Sequence, residues 1–156
     1  MTVADRLREA GVVLPPAPPP KGAYFPSRRC GDQLWVSGAT ARRDGEPALR
    51  GVVGVDVAID VAREQAGLAA LNLLAAIEAE VGLDTVGAVV ALRGYVRAAT
   101  EFDAHPAVVD GASQVLLTAF GAHIGAHART AIGVASLPGG ACVELDLVVS
   151  VATAGR

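Results

Sequence analysis

Two stretches of the chain carry apolar residues at helical spacing. Residues 59–81 are rich in Ala and Leu, have acidic residues near their start and are followed by Gly82, which predicts a long helix with the usual polarity. Between residues 108 and 120 apolar side chains again recur every three or four positions, with a proline in the first turn and Gly121 closing the far end. A second helix is predicted there.

The segments before and between the helices have the composition of β-strands. Residues 25–30 and 33–37 flank Gly31-Asp32, a turn suited to a hairpin. Residues 86–96 form a β-rich run that predicts a central strand, although two glycines interrupt it.

The C-terminal part predicts a second hairpin. Residues 128–137 and 141–151 are separated by a Pro-Gly-Gly turn signal. Along the final segment apolar residues alternate with more polar ones, which separates an apolar face from a polar face.

The element order is therefore ββ-α-β-α-ββ, which predicts an α+β fold: a small mixed β-sheet with two helices packed on one face. We expect other subunits to cover the second face. The length of 156 residues suits one core, so a single domain is expected over 1–156. Residues 1–20 form its lead-in, a turn or two of helix with Leu7 facing inward and then a proline-rich stretch.

Composition adds an expectation about assembly. Hydrophobic residues make up 52% of the chain, yet no run of about 18 uncharged apolar residues could span a bilayer. We therefore expect no membrane partner, and the surplus apolar surface suggests a subunit interface.

Charge and cysteine usage narrow the partners and the compartment. The net charge is −3 and Lys21 is the single lysine, so no basic field attracts nucleic acid. Cys30 and Cys142 lie far apart outside any C-x-x-C pattern, and the N-terminus lacks the apolar core of a secretion signal. A cytoplasmic setting is predicted, with both cysteines as inert strand residues.

Arg129 is the strongest candidate for chemistry. It lies in a predicted strand of small and apolar residues, where a guanidinium is costly unless it meets an anion. Its planar fork of donors suits the carboxylate of a small-molecule substrate or ligand. Pairing with an internal acid, or extension to the surface, explains the residue equally well.

Glu144 is the second candidate, because it lies on the neighbouring strand of the predicted hairpin and could reach the same end of the sheet as Arg129. Partial burial would raise the pKa of this carboxyl towards the range of a general base. A plain salt bridge or a solvated strand position is the competing interpretation. Asp146, two positions further along, is a weaker candidate.

Other candidates are less specific. Gly38 ends a strand with close backbone approach, and Tyr24 is either a pocket wall or an ordinary hairpin aromatic. His123 and His127 are four apart, but nearby glycines break any helix that would align them, so no metal site is predicted. No nucleotide-binding or nucleophile-elbow motif occurs in the sequence.

Taken in order and spacing, several segments resemble the Rid (reactive intermediate deaminase) or YjgF family, in a divergent branch. The likeness covers about residues 20–152 and rests on the following segments: Gly22-Ala23-Tyr24, Gly31 to Gly38, Arg129-Thr130-Ala131-Ile132, Leu137-Pro138 and Val143-Glu144-Leu145.

The resemblance implies a chorismate-mutase-like homotrimer with clefts between adjacent subunits. It also implies hydrolysis of reactive enamines or imines, such as 2-aminoacrylate, to 2-oxoacids and ammonia without a cofactor. In such a cleft Arg129 would bind the substrate carboxylate, Glu144 would help hold the attacking water, and Tyr24 would line the wall.

Three positions depart from the family pattern. Ala131 stands where many relatives carry a cysteine, Gly133 replaces a frequent acid, and Asp110 occupies a place where the archetype tends to have asparagine. An acid at Asp110 that faces the cleft would disfavour a carboxylate ligand. A non-catalytic trimeric binding protein for small carboxylate metabolites is the alternative function, and the acidic balance of the chain disfavours ribonuclease activity.

Overall fold

The computed structural model describes residues 1–19 and 22–152, so Pro20 at the end of the lead-in, Lys21 and residues 153–156 lie outside the described part. Its elements run in the order α1 Val3–Glu9, β1 Ser27–Cys30, β2 Gln33–Thr40, α2 Ile59–Glu80, β3 Val86–Arg97, α3 His105–Ile124, β4 Ala128–Val134 and β5 Val143–Val151. The predicted α+β class and element order are confirmed.

The five strands form one mixed sheet in the order β1-β2-β5-β3-β4. β1 and β2 form the predicted hairpin, with Cys30 opposite Gln33 and Gly31 in the turn at a φ of 64°, a conformation that glycine adopts without strain. β3 is the predicted central strand and lies between β5 and β4.

The predicted C-terminal hairpin is wrong. β3 separates β4 from β5; it pairs with β4 in parallel and with β5 in antiparallel orientation. The Pro-Gly-Gly segment forms a short 3₁₀ turn, Pro138–Gly140, within a connection that crosses the end of β3. A local turn signal cannot exclude such an arrangement, because the strand inserted between the two segments comes from earlier in the chain.

α2 and α3 pack on one face of the sheet, as predicted. Their buried side chains meet those of β3 and β5 in a core made mostly of aliphatic residues: Leu73, Leu74, Ile77, Leu92, Leu116, Leu145 and Leu147. Of the described helices, α3 alone has the length and apolar content to cross a membrane, and here buried residues such as Val108 and Leu116 pack it into the core.

The C-terminal part of α3 and the N-terminal helix α1 agree with their sequence signals. Gly121, with a φ of 76°, kinks α3 where the helix was expected to close, and one further turn follows. α1 begins at a capping box formed by Thr2 and Asp5, buries Leu7 as predicted, and is tied to the domain by a 2.8 Å bond from the Val3 N–H to Asp84.

The other face of the sheet is open in a single chain. Side chains alternate along each strand, so Trp35, between buried Leu34 and Val36, points away from the helices and is 45% exposed. Ile132 on β4 is also 45% exposed on this face. This open sheet face carries apolar and charged side chains together.

Candidate functional site

Arg129 lies on the edge strand β4 and points towards α3. Its Nη1 donates to Asp110 Oδ1 over 2.6 Å and to Ser113 Oγ over 3.1 Å, and its Nη2 donates to the Pro106 carbonyl over 3.4 Å. The Arg129 side chain is 23% exposed and that of Asp110 is 49% exposed. The interpretation that Arg129 pairs with an internal acid is therefore confirmed in the single chain.

Ser113 and His127 extend this network. His127 Nδ1 lies 2.6 Å from the Gly125 carbonyl oxygen, which can only accept, so Nδ1 carries the proton of the neutral ring. His127 Nε2, 2.9 Å from Ser113 Oγ, then accepts the serine hydroxyl proton. The lone pairs of Ser113 are left to face Arg129, and the guanidinium is held by an ordered set of contacts.

We call Asp110, Ser113, His127 and Arg129 the edge cluster. Sequence reasoning considered His127 only as a metal ligand and did not assign a role to Ser113. A signal existed, because Asp110 and Ser113 are three apart on a helix and so share one face. Only the packing of α3 against β4 reveals that this face meets Arg129.

Glu144 lies on the open sheet face, opposite Tyr95 of β3 and Thr40 of β2. Its carboxylate fills the space where a side chain at position 38 would begin, so Gly38 permits the close approach of the acid to β2. Burial raises the pKa of Glu144, and the nearby negative charge of Asp146 raises it further. A carboxyl with this environment holds a proton more readily than an ordinary surface glutamate.

Asp146, the weaker candidate, is engaged in structural contacts. Arg93 Nε donates to it over 2.6 Å and the Tyr95 hydroxyl over 2.9 Å, and the Arg93 guanidinium also lies 5.8 Å from the centre of the Trp35 ring. Desolvation of Tyr95, together with its bond to Asp146, raises the pKa of the phenol. Asp146 therefore orders the open sheet face beside Glu144.

The predicted site residues lie in three separate places in the chain. Arg129 faces α3 from one edge strand, whereas Glu144 and Gly38 lie together on the opposite face of the sheet. Tyr24 precedes β1, the other edge strand, and its side chain is 49% exposed. One chain therefore does not bring Arg129 and Glu144 into one site, and the expectation that both reach the same end of a hairpin is wrong.

His105, the first residue of α3, also contacts β4. His105 packs edge-on against Phe102 with ring centroids 5.1 Å apart and occupies the space above Gly133, so a larger residue at 133 would displace it.

An open cleft of about 500 Å³ between α1, α2 and α3 is lined mainly by apolar atoms and contains none of the predicted site residues. Among the residues that the structure describes, no group of three or more His, Cys, Asp or Glu side chains could hold a metal.

The fold and the two polar groups define a small α+β protein with an arginine on an edge strand and a partly buried acid on an open sheet face. The chain belongs to the YjgF family: residues 4–149 match the family model described as "YjgF/chorismate_mutase-like, putative endoribonuclease". The predicted recognition and the chorismate-mutase-like fold are confirmed.

Relatives support the same assignment. The chain is 36% identical over 148 residues to protein TCP17 of Trypanosoma cruzi, which covers 94% of this chain and 92% of the relative. It is 37% identical to the crystal structure of Atu1372 from Agrobacterium tumefaciens, with a TM-score of 0.89 over 96% of this chain and 92% of that one. The YjgF gene product of E. coli is 25% identical, with a TM-score of 0.61 over 88% and 93%.

Proposed function

We propose that the protein hydrolyses reactive enamines or imines of 2-oxoacids, such as 2-aminoacrylate, to the 2-oxoacid and ammonia. The observation that carries this proposal is the edge cluster: a guanidinium that is only 23% exposed is fixed in orientation on a strand of small residues. A fixed, partly desolvated guanidinium is suited to capture of a small carboxylate.

The site requires more than one chain. Arg129 and Glu144 lie on opposite faces of one sheet, so a cleft that contains both forms only when the open sheet face of one subunit meets the β4 edge of another. The 45% exposure of Trp35 and of Ile132 supports burial of this face by a partner. Three identical chains, as the family resemblance implies, would give three such clefts, with Tyr24 in the wall.

The chemistry follows from the groups available. Arg129 binds the substrate carboxylate, and Glu144 accepts a proton from water as the water oxygen bonds to the imine carbon. The raised pKa of Glu144 brings the carboxyl nearer to the pH of the cell and improves it as a base. As the water oxygen bonds to carbon, the C=N electron pair moves to the nitrogen, which takes the proton from Glu144 and gives a carbinolamine. The carbinolamine hydroxyl then passes its proton through Glu144 to the nitrogen, the C–N bond breaks, and ammonia leaves as the C=O bond of the 2-oxoacid forms. Because the imine carbon is already electrophilic, no cofactor is required.

Ammonia release from imines generated in situ by an amino-acid oxidase tests the proposal. We expect acceleration by the wild type, and at least a tenfold loss in Arg129→Ala and in Glu144→Gln, since each removes a group that touches the reacting molecule. The matched control is Arg43→Ala, which removes a surface arginine whose side chain is 70% exposed. Equal activity of wild type and Arg129→Ala would contradict the proposal.

A binding protein without turnover is the second candidate, and the separation of Arg129 from Glu144 within one chain favours it, because Arg129 lies in a site to which this acid does not contribute. This candidate predicts saturable thermal stabilisation by 2-oxoacids that Arg129→Ala abolishes, with no acceleration of ammonia release.

Ribonuclease activity, which the family description mentions, is disfavoured by the net charge of −3 and the single lysine. RNA cleavage lost in Arg129→Ala would revive it. We expect the protein to act in the cytoplasm on small molecules, an expectation with which its two free cysteines are consistent.

A further inference from the structure

Asp110 is the charged and accessible member of the edge cluster. Its Oδ1 accepts from Arg129 over 2.6 Å, while its side chain remains 49% exposed. Among the residues that the structure describes, no other hydrogen bond to Asp110 is formed, so Oδ2 can accept from a ligand.

This pair changes what Arg129 can attract. A lone guanidinium favours any carboxylate, but a plain monoanion that approaches Arg129 here also meets the negative charge of Asp110. A ligand with a cationic nitrogen next to its carboxylate meets an opposite charge at both ends. The local charge then stays balanced after binding, which is not true for a monoanion.

We propose that Asp110 makes the edge cluster selective for small zwitterions, namely 2-imino acids in their protonated iminium form and 2-amino acids, over plain 2-hydroxy or 2-oxo acids. The iminium N–H would donate to Asp110 and the carboxylate would accept from Arg129. The inference rests on the proposed function in taking Arg129 as the ligand site. It adds that the site binds the more electrophilic, protonated form of the imine and disfavours the 2-oxoacid product.

Ser113 and His127 allow Asp110 to exchange partners. Because the Ser113 hydroxyl proton goes to His127, its lone pairs keep accepting from Arg129 Nη1, and the Pro106 carbonyl accepts from Nη2. Arg129 therefore stays oriented when Asp110 turns to a ligand. Asp110 is in this sense a specificity residue and Ser113 a positioning residue.

Calorimetric titration with L-alanine and L-lactate tests the inference, since the two probes have nearly the same shape and differ in the cationic nitrogen. We expect the wild type to bind alanine more tightly than lactate. In Asp110→Asn the affinity for alanine relative to that for lactate should fall about tenfold or more, and a tenfold change corresponds to about 1.4 kcal/mol. Asp110→Glu, which keeps the acid, should restore the preference.

The control is Asp103→Asn, which makes the same charge change at an exposed residue just before α3 and should leave the ratio unaltered. An unchanged ratio in Asp110→Asn, a preference of the wild type for lactate, or no detectable binding of alanine would each overturn the inference. Binding of both probes by Arg129→Ala would also overturn it, because the ligand would then lie elsewhere.

The two proposals fail separately. If the wild type shows the predicted selectivity but does not accelerate ammonia release, the proposed hydrolysis is wrong and the zwitterion site stands. A different result separates them in the other direction. If the wild type accelerates ammonia release, Arg129→Ala does not, and Asp110→Asn leaves the ratio of the alanine and lactate dissociation constants unchanged, the hydrolysis stands and the role of Asp110 is structural.

Discussion

Arg129 illustrates how far a single residue can be interpreted from the chain. Its unfavourable surroundings, a strand of small and apolar residues, predicted that it must meet an anion. Both a ligand and an internal acid satisfied that condition. The structure supplies Asp110, nineteen positions earlier in the numbering, at 2.6 Å. The identity of this partner depends on helix packing, which no spacing between the two residues reveals.

Glu144 carries a prediction about pH. Its pKa is raised from the ordinary 4.5 because burial disfavours the charged form. The folded state therefore holds this proton more tightly than the unfolded state does, and the resulting stability is present at low pH and is lost as the pH rises through the raised pKa. Glu144→Gln, which cannot ionise, should gain in melting temperature relative to wild type as the pH rises from about 4 to 8.

Differential scanning calorimetry across that range measures the difference between the two proteins. The control is Glu101→Gln at an exposed position, where the difference should stay flat. A difference for Glu144→Gln that shrinks with rising pH would contradict the raised pKa of Glu144.

Gly67 of α2 and Gly111 of α3 both lie where the two helices meet, and replacing each by alanine should have opposite effects on stability. In both helices alanine has a higher helix propensity than glycine, by about 1 kcal/mol. At Gly67 an added methyl group would lie 3.6 Å from the Gly111 carbonyl oxygen, an ordinary contact. At Gly111 it would overlap the backbone carbonyl of Arg63, which cannot move without shifting α2.

We therefore expect Gly67→Ala to stabilise the protein by about 0.5–1 kcal/mol. Gly111→Ala should destabilise it by about 1–3 kcal/mol, because the overlap outweighs the gain in helix propensity. Urea unfolding of both variants measures the two free energies. Stabilisation by Gly111→Ala would show that the helices can separate at this crossing without cost.

The elements differ in how well the sequence predicts them. The helices and the first hairpin follow from local periodicity and turn chemistry, and both predictions are confirmed. The second hairpin was wrong although each of its strands was correct in type. Strand pairing is a nonlocal choice, and here the α3 crossover places β4 parallel to β3 and leaves β5 on the far side of β3.

Assembly is predicted from the open sheet face. The mass of one chain is 15.7 kDa, and we expect light scattering after gel filtration to give three times that value for the wild type. Ile132→Asp should dissociate the protein, because an unpaired carboxylate would be buried in the interface.

The control for this experiment is Val55→Asp, at a loop residue that is 73% exposed and lies off the sheet, which should assemble normally. A wild type that runs as a monomer would contradict the assembly and with it any site shared between chains. A trimeric Ile132→Asp would place the interface elsewhere.

Local patterns in the chain were enough for the α+β class, the positions of the helices and strands, and the covered and open faces of the sheet, and they selected Arg129 and Glu144 as candidates. These properties depend on side-chain periodicity and on the chemistry of single residues. The strand order, the pairing of Arg129 with Asp110, the Ser113–His127 bond and the separation of Arg129 from Glu144 were decided by tertiary packing. Each of these depends on which distant segments meet, and that choice is made by burial of the whole core.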